Sequence, residues 1–182
     1  ALPGPVEKMG LFLLAQEKLL DAGYVAVGMD HFARPGDALA EASTHRTLHR
    51  NFMGYTTRAG AALLGLGVSS ISELDDVYAQ AQPHLGAWYR AIERQSEPKI
   101  AKGMRLTAED KLRRDVISAL MCNFELVKAP IEAAHGVRFD EHFAEQLASL
   151  APLVDEGVCA LEPDRITVTE LGRLLVRNVA MA

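Results

Sequence analysis

The sequence predicts an α/β region followed by a mostly helical region, on three observations. Residues 6–22 carry apolar side chains at helical spacing and precede a short β-rich run over 24–29, the helix and strand alternation of a parallel sheet. From Thr107 onward one helical pattern follows another. Near the end, apolar runs at 158–161 and 166–168 flank turn-forming residues, which predicts a small β-hairpin.

The first region is predicted to contain three helices and two buried strands. In chain order these are a helix over 6–22, a strand over 24–29, a helix over 37–48, a strand over 62–72 and a helix over 85–95. Gly23 stands where a left-handed residue would end the first helix. Asp30 and His31 then lie at the carboxyl end of the strand 24–29, the edge where ligand sites of parallel sheets gather.

The second region is predicted to contain four helices and the hairpin. The helices are one that begins at Thr107, two over 130–135 and 139–150, and a closing one over 171–179. Thr107 and Thr169 are the predicted N-caps, and Gly136 would end the second helix. The order helix, helix, hairpin, helix is typical of a winged-helix-like module. Turn-forming residues at 95–99 predict a boundary between a domain over 1–98 and one over 99–182.

Composition excludes several classes of protein. A net charge of -5 over 182 residues disfavours a nucleic-acid binder, which needs a basic face. No apolar run is long enough to cross a bilayer, and the first residues lack the pattern of a secretory signal, so we expect a cytoplasmic protein without a membrane segment. Cys122 and Cys159 lack the spacing of a cluster or zinc site and are predicted to be buried thiols.

Ionisable and aromatic side chains are concentrated in residues 24–58, as in loops that carry binding and catalysis. Asp30 would raise the pKa of the neighbouring His31 into the range where a histidine exchanges protons. Neighbours on a strand point to opposite faces, so this pair requires that the strand has already ended. The alternative is that His31 is a buried structural histidine.

The same stretch carries several cations at Arg34, His49 and Arg50. Guanidinium groups suit carboxylates because their donors form a planar fork that matches the two oxygens. For each arginine, the alternative is a solvated loop residue. No residue is assigned a catalytic or metal-binding role.

Three longer motifs carry a resemblance to a known family: GMDHFARP at 28–35, HRNFMGYTT at 49–57 and LGLGVSSI at 64–71. In this order they resemble oxygen-independent coproporphyrinogen III oxidase, a radical S-adenosylmethionine enzyme of haem biosynthesis. The family's Cys-x-x-x-Cys-x-x-Cys cluster loop is absent from this sequence. The resemblance therefore implies a C-terminal fragment: the last βα elements of a partial TIM-like radical-SAM barrel over 1–98, then a mostly helical, winged-helix-like domain over 99–182.

The resemblance also implies an activity, cofactors and a partner. The reaction is oxidative decarboxylation of two propionates of coproporphyrinogen III to vinyl groups, which gives protoporphyrinogen IX. It requires S-adenosylmethionine and a 4Fe-4S cluster in the full-length enzyme, and the cluster ligands are expected in the missing N-terminal barrel half. The fragment alone is expected to be inactive.

The resemblance implies cofactor contacts at Phe52, Met53 and Ile71. Phe52 and Met53 stand where the family brings a Phe-Gln pair close to a second S-adenosylmethionine, and Met53 cannot make the hydrogen bonds of that amide. Ile71 matches an isoleucine beside the first S-adenosylmethionine, and the alternative is a strand-core residue.

The implied substrate carries four propionates and would need cations. The residues expected to bind it, from their own chemistry, are His31, Arg34, His49 and Arg50.

Two other functions stay open at this point. One is a regulator whose closing region is a nucleic-acid-binding winged helix, although residues 107–182 show no strongly basic recognition helix. The other is a haem-carrier relative of the same superfamily, although residues 31–35 and 49–52 resemble the oxidase more closely.

Overall fold

The computed structural model describes residues 2–94 and 99–182. The first part of the chain consists of three helices and seven short strands among these residues. They are α1 (Pro5–Asp21), β1 (Val25–Val27), β2 (His31–Ala33), α2 (Ala38–Thr44), β3 (His49–Asn51), β4 (Gly54–Thr56), β5 (Ile71–Leu74), β6 (Val77–Ala81), α3 (Leu85–Glu93) and β7 (Ile100–Arg105). Most of the predicted boundary segment, at residues 95–98, lies outside the described residues.

The second part is mainly helical. Its elements are α4 (Ala108–Asn123), β8 (Glu125–Val127), α5 (Lys128–His135), α6 (Phe139–His142), α7 (Ala144–Ser149), α8 (Ala151–Asp155), β9 (Cys159–Leu161), β10 (Arg165–Val168), a 3₁₀ helix (Leu171–Leu175) and α9 (Val176–Met181). None of the helices in the described ranges is both long enough and apolar enough to cross a membrane.

The strands pair differently from the prediction. A parallel sheet was expected, but every pair formed by the strands of the described residues is antiparallel. The strand predicted over 24–29 exists as β1, and the chain then reverses through residues 28–30 into β2. The prediction failed because Gly28 adopts a left-handed φ of 62° and begins a turn rather than continuing the strand.

The buried strand predicted over 62–72 is also largely wrong. Only the last two of its residues belong to β5, and Leu63 makes an isolated antiparallel bridge to Glu73. Ser69 has a φ of 59°, which an extended strand does not allow. The apolar run therefore folds back as a loop beside the three-stranded sheet β5-β6-β7.

Predictions for the second part are mostly confirmed. The hairpin is β9 and β10, and β8 completes a sheet in the order β8-β10-β9. Gly136 ends α5 in the left-handed conformation. The single helix expected over 139–150 is instead divided at Phe143, whose buried ring lies 4.8 Å from that of Phe139. The closing helix begins as a 3₁₀ helix, with Thr169 Oγ1 accepting a hydrogen bond from Gly172 N at 3.0 Å.

Two apolar cores hold these elements. The larger lies within the second part, between α4, the short helices and the sheet β8-β10-β9. The smaller lies under the first two hairpins, and its buried members are Val27, Ala33, Ala40, Ala42, Leu48, Tyr55 and Cys122. Cys122 comes from α4, so the helix that anchors the larger core also completes the smaller one.

Helix α1 contributes no buried residue to either core. Several of its apolar side chains are exposed, and Leu11 and Leu14 are each about half exposed. Exposed apolar surface on one helix is typical of interaction sites.

The capping box at the start of α4 gives a first prediction. Thr107 Oγ1 accepts a hydrogen bond from Asp110 N at 3.2 Å, and Asp110 Oδ2 accepts one from Thr107 N at 2.8 Å. We expect Thr107→Ala to lower the free energy of unfolding by about 1 kcal/mol, measured by urea denaturation. Thr57→Ala, at an exposed loop position, is the control and should cost much less.

The effect should depend on pH. Hydrogen bonds from Thr107 hold the pKa of Asp110 below its usual value, so this carboxylate stabilises the fold above its ordinary pKa. That contribution is lost as the pH falls through the lowered pKa of the folded state. The stability difference between wild type and Thr107→Ala should therefore shrink in acid. An equal difference at neutral and acidic pH would contradict the assignment.

Candidate functional site

Tyr55 organises the turn between β1 and β2. Its ring occupies the space beside Gly28, where a Cβ would overlap ring atoms. Its hydroxyl accepts a hydrogen bond from Met29 N at 3.0 Å and donates one to Met121 O, also at 3.0 Å. Burial raises the pKa of Tyr55, so the hydroxyl keeps the proton that it donates.

The Asp30 and His31 pair forms on this turn. His31 Nδ1 lies 2.8 Å from Asp30 Oδ1, and both side chains are about half exposed. The pair is possible because Asp30 belongs to the turn and β2 begins only at His31. The imidazole stands edge-on to the Tyr55 ring at 5.0 Å between centroids, and Gly54 leaves room for Nε2. Asp30 and the Tyr55 ring therefore hold the His31 imidazole in place, and solvent can still reach it.

The hairpin β3–β4 places Arg50 next to the same tyrosine. Arg50 pairs with Tyr55 across the hairpin, and its Cζ lies 5.6 Å from the centroid of the Tyr55 ring. At this distance a guanidinium group is attracted to the face of an aromatic ring. His49 is the neighbour of Arg50 on β3, so it points to the opposite face of the hairpin. The structure brings His31 and Arg50 together around Tyr55 and leaves His49 on the other side.

Arg34 lies at the opposite end of the ribbon β1–β2 from the turn. Its Cζ is 5.8 Å from the centroid of the Tyr24 ring, and the hydrogen bond with Tyr24 raises the pKa of Arg34. Three residues separate it from His31, which corresponds to about 10 Å along a strand. Arg34 is therefore a second, exposed cation at some distance from the His31 and Arg50 pair.

Phe52 and Met53 form the two-residue loop of the hairpin β3–β4. Asn51 Oδ1 accepts a hydrogen bond from Met53 N at 2.8 Å, which fixes the loop, and Met53 is 81% exposed. Phe52 is 51% exposed and meets the Tyr78 ring edge-to-face at 5.1 Å between centroids. One face of the Phe52 ring is accordingly available for stacking.

Ile71 lies on the sheet β5-β6-β7, the sheet whose Tyr78 meets Phe52. It pairs with Gln80 on β6, two residues from Tyr78, so Ile71 and Tyr78 point to the same face of the sheet. Diagonal neighbours of this kind lie within reach of an aromatic side chain. Through Tyr78, the structure brings Phe52 and Ile71 to one half-buried apolar surface.

Sequence reasoning missed three residues of this region: Tyr55, Tyr78 and Arg114. Arg114 lies on α4. In the structure its Nη1 donates to Asp75 O at 3.4 Å, and its hydrogen bond with Tyr78 lowers the pKa of that phenol against the larger effect of burial. No local signal marks these contacts, because each joins residues that are far apart in the sequence.

The described ranges contain no group of three or more His, Cys, Asp or Glu side chains that could hold a metal ion. Cys122 and Cys159 are buried, as predicted, and burial raises the pKa of both thiols. Neither thiol is an exposed thiolate of the kind that binds an iron-sulfur cluster.

Comparisons with known proteins support the resemblance seen in the motifs. Residues 106–175 match the family model of the HemN C-terminal domain. Over 99% of its length the chain is 46% identical to the oxygen-independent coproporphyrinogen III oxidase of Escherichia coli strain K12, and 44% identical to that of a Synechocystis species. The resemblance predicted from the sequence is confirmed.

Structural comparison gives the same result. The chain superposes on a solved structure described as coproporphyrinogen III oxidase (HemN) from Escherichia coli, a radical SAM enzyme, with a TM-score of 0.91 and 45% identity. The match covers 99% of this chain and 41% of that one. The chain spans about two fifths of the length of the two curated relatives, which is 39% in each case.

The contact between Gly28 and Tyr55 gives a second prediction. Gly28→Ala would place a methyl group against the Tyr55 ring as well as force alanine into a left-handed conformation. We expect Gly36→Ala to cost only the conformational term of roughly 1 to 2 kcal/mol, because nothing lies within 4 Å of its Cβ position.

Gly28→Ala should cost a further 1 to 3 kcal/mol, about the usual penalty for overpacking. Both free energies of unfolding can be measured by urea denaturation. Equal losses in the two variants would show that Tyr55 does not fill the space beside Gly28.

Proposed function

We propose that this chain forms the C-terminal portion of an oxygen-independent coproporphyrinogen III oxidase that works in the cytoplasm. The observation that carries the proposal is the superposition of nearly the whole chain on the Escherichia coli radical SAM enzyme, at 45% identity. Both curated relatives described above have the name of this oxidase. That agreement favours the oxidase over a nucleic-acid-binding regulator or a haem carrier.

In this proposal residues 1–98 supply the last elements of a radical-SAM barrel, and residues 99–182 form a winged-helix-like domain. The three-stranded sheet β8-β10-β9 and the helices around it support the second assignment. Strand β7 pairs with β6 and the family match begins at residue 106, so the strand pairing favours a boundary near residue 106 over the predicted one at residue 98.

The exposed apolar side chains of α1 indicate that this helix packs against another part of the same protein. We assign this face to contacts with the N-terminal barrel half of the oxidase, which corresponds to most of the relatives' remaining length. Packing against such a segment would remove the exposed leucine side chains of α1 from water.

The proposed substrate carries four propionates on a flexible tetrapyrrole and needs cations at separated positions. Arg50 and His31 meet at Tyr55, and this pair is the proposed site for one carboxylate. Arg34 comes three positions after His31, so strand alternation directs it to the other face of the ribbon, and its role as a second carboxylate site stays a prediction. A protonated His31 would hold Asp30 through Nδ1 and offer Nε2–H to a propionate. His49 faces the other side of the hairpin and stays a prediction.

Phe52 and Ile71 are assigned to two S-adenosylmethionine molecules. The half-exposed ring of Phe52 can pack against the second molecule, and the β-branched side chain of Ile71 can form a wall beside the adenine of the first. Met53 can add only apolar contact. When bound in the complete enzyme, S-adenosylmethionine and the 4Fe-4S cluster supply the radical chemistry. The described residues do not fit the cluster, so its ligands are assigned to the N-terminal half.

The substrate assignment gives a third prediction. In a chimera, residues 1–182 would replace the matching segment of the Escherichia coli relative. Arg50→Ala and Arg34→Ala should each raise the KM for coproporphyrinogen III by about tenfold or more, because a hydrogen bond to a charged group contributes about 1.5 to 3 kcal/mol. Steady-state rates measured anaerobically would provide the test.

Arg177→Ala is the matched control, since Arg177 is an exposed arginine on α9 that the proposal does not use. Its KM should equal that of the unmodified chimera. If neither Arg34→Ala nor Arg50→Ala differs from this control, the substrate assignments are wrong.

The cofactor assignment gives a fourth prediction. Phe52→Ala should weaken S-adenosylmethionine binding to the chimera by about tenfold, as expected when a ring stacked on a base is removed. Tyr89→Ala removes an aromatic side chain of similar exposure, 53%, from α3 and should leave this affinity unchanged. Calorimetric titration of both variants would measure the difference. Equal affinities would exclude Phe52 from the cofactor pocket.

A further inference from the structure

One hydroxyl group joins three distant segments of the chain. Tyr55, on β4, accepts a hydrogen bond from Met29 in the turn that carries Asp30, and it donates to Met121 in the last turn of α4. Tyr55 is 9% exposed, so water competes little for these bonds. The hydroxyl oxygen of Tyr55 therefore connects two separate hairpins to α4, which lies in the segment matched by the HemN C-terminal domain model.

The acceptor on α4 is available for a structural reason. Helix α4 ends at Asn123, and the carbonyl groups of a helix's last turn have no amide partner farther along the helix. Leu120 O is satisfied by Phe124 N at 2.9 Å, and Met121 O receives the Tyr55 hydroxyl instead. The helix end thus presents an acceptor to the hairpins, and Tyr55 is the residue that uses it.

The ring of Tyr55 serves the same region as its hydroxyl. Its edge-on contact with His31 and its position under the Arg50 guanidinium place two proposed substrate residues on opposite parts of one rigid side chain. The ring is itself confined by Gly28, whose missing side chain leaves the space that it fills. A displacement of Tyr55 would move both cations relative to each other.

We infer that Tyr55 is a positioning residue of the proposed substrate site: its hydroxyl locks the Asp30 and His31 turn to the end of α4, so that the C-terminal domain sets the distance between His31 and Arg50. The identity of the substrate in this inference rests on the proposed function. Tyr55 touches His31 and Arg50, and it acts on substrate only through them.

Tyr55→Phe in the chimera tests this inference, because phenylalanine keeps the ring and removes only the hydroxyl. The KM for coproporphyrinogen III should rise about threefold to tenfold, the range of a net hydrogen-bond contribution, while kcat changes less than twofold. Hydrogen exchange of the Met29 amide should accelerate about tenfold, because its acceptor is gone. Tyr89→Phe, on the exposed side of α3, is the control and should alter none of these quantities.

The outcomes separate the two proposals. An inactive unmodified chimera that binds no coproporphyrin III would contradict the proposed function. An active chimera in which Tyr55→Phe lowers the melting temperature but leaves KM unchanged would overturn the inference, because the hydroxyl would then be merely structural. Unchanged exchange at Met29 would overturn it whether or not the chimera is active.

Discussion

The geometry of the first two hairpins depends on the contact between Tyr55 and the last turn of α4. A two-stranded ribbon is marginally stable in water by itself, and neither hairpin has a third strand. The Tyr55 hydroxyl and the buried Cys122 side chain attach both hairpins to a long helix that is fixed in the larger core. This attachment adds to the smaller apolar core, in which α2 also takes part, and links both hairpins to the larger core.

Arg114 makes a second attachment, nearer the middle of the helix. It donates a hydrogen bond to Asp75 O in the turn between β5 and β6, and it interacts with Tyr78, whose ring meets Phe52 edge-to-face. Helix α4 therefore contacts both parts of the candidate site, one through Tyr55 and the other through Tyr78. Side chains from three hairpins share one support.

The sequence predicted local structure well and pairing poorly. Thr107 and Gly136 mark helix ends through short-range chemistry, so the start of α4 and the end of α5 could be read from the chain. Gly28 could mark either a strand end or a hairpin turn, and only the Tyr55 ring beside it decides between them. An apolar run such as 62–72 indicates that its side chains are buried, but it does not specify whether the segment pairs with another strand. For this reason a loop was predicted as a strand.

The candidate site shows the same difference between what local sequence predicts and what depends on distant partners. Sequence reasoning proposed His31, Arg50, Phe52 and Ile71 because they lie in motifs that resemble the family, and these roles stay predictions. It grouped His49 and Arg34 with them by proximity in sequence, whereas strand alternation and ribbon length separate them in space. Tyr55 and Arg114 had no signal of their own, since their roles arise only from partners on other elements.

The small core that includes Cys122 has a consequence for synthesis of the chain. The ribosome releases β1 through β4 well before it reaches α4, so these strands emerge while one wall of their core does not yet exist. The core of these hairpins is complete only once residue 122 is available. Nascent chains shorter than this lack the Cys122 side of the core that contains Val27, Leu48 and Tyr55, and α4 supplies it when the helix forms.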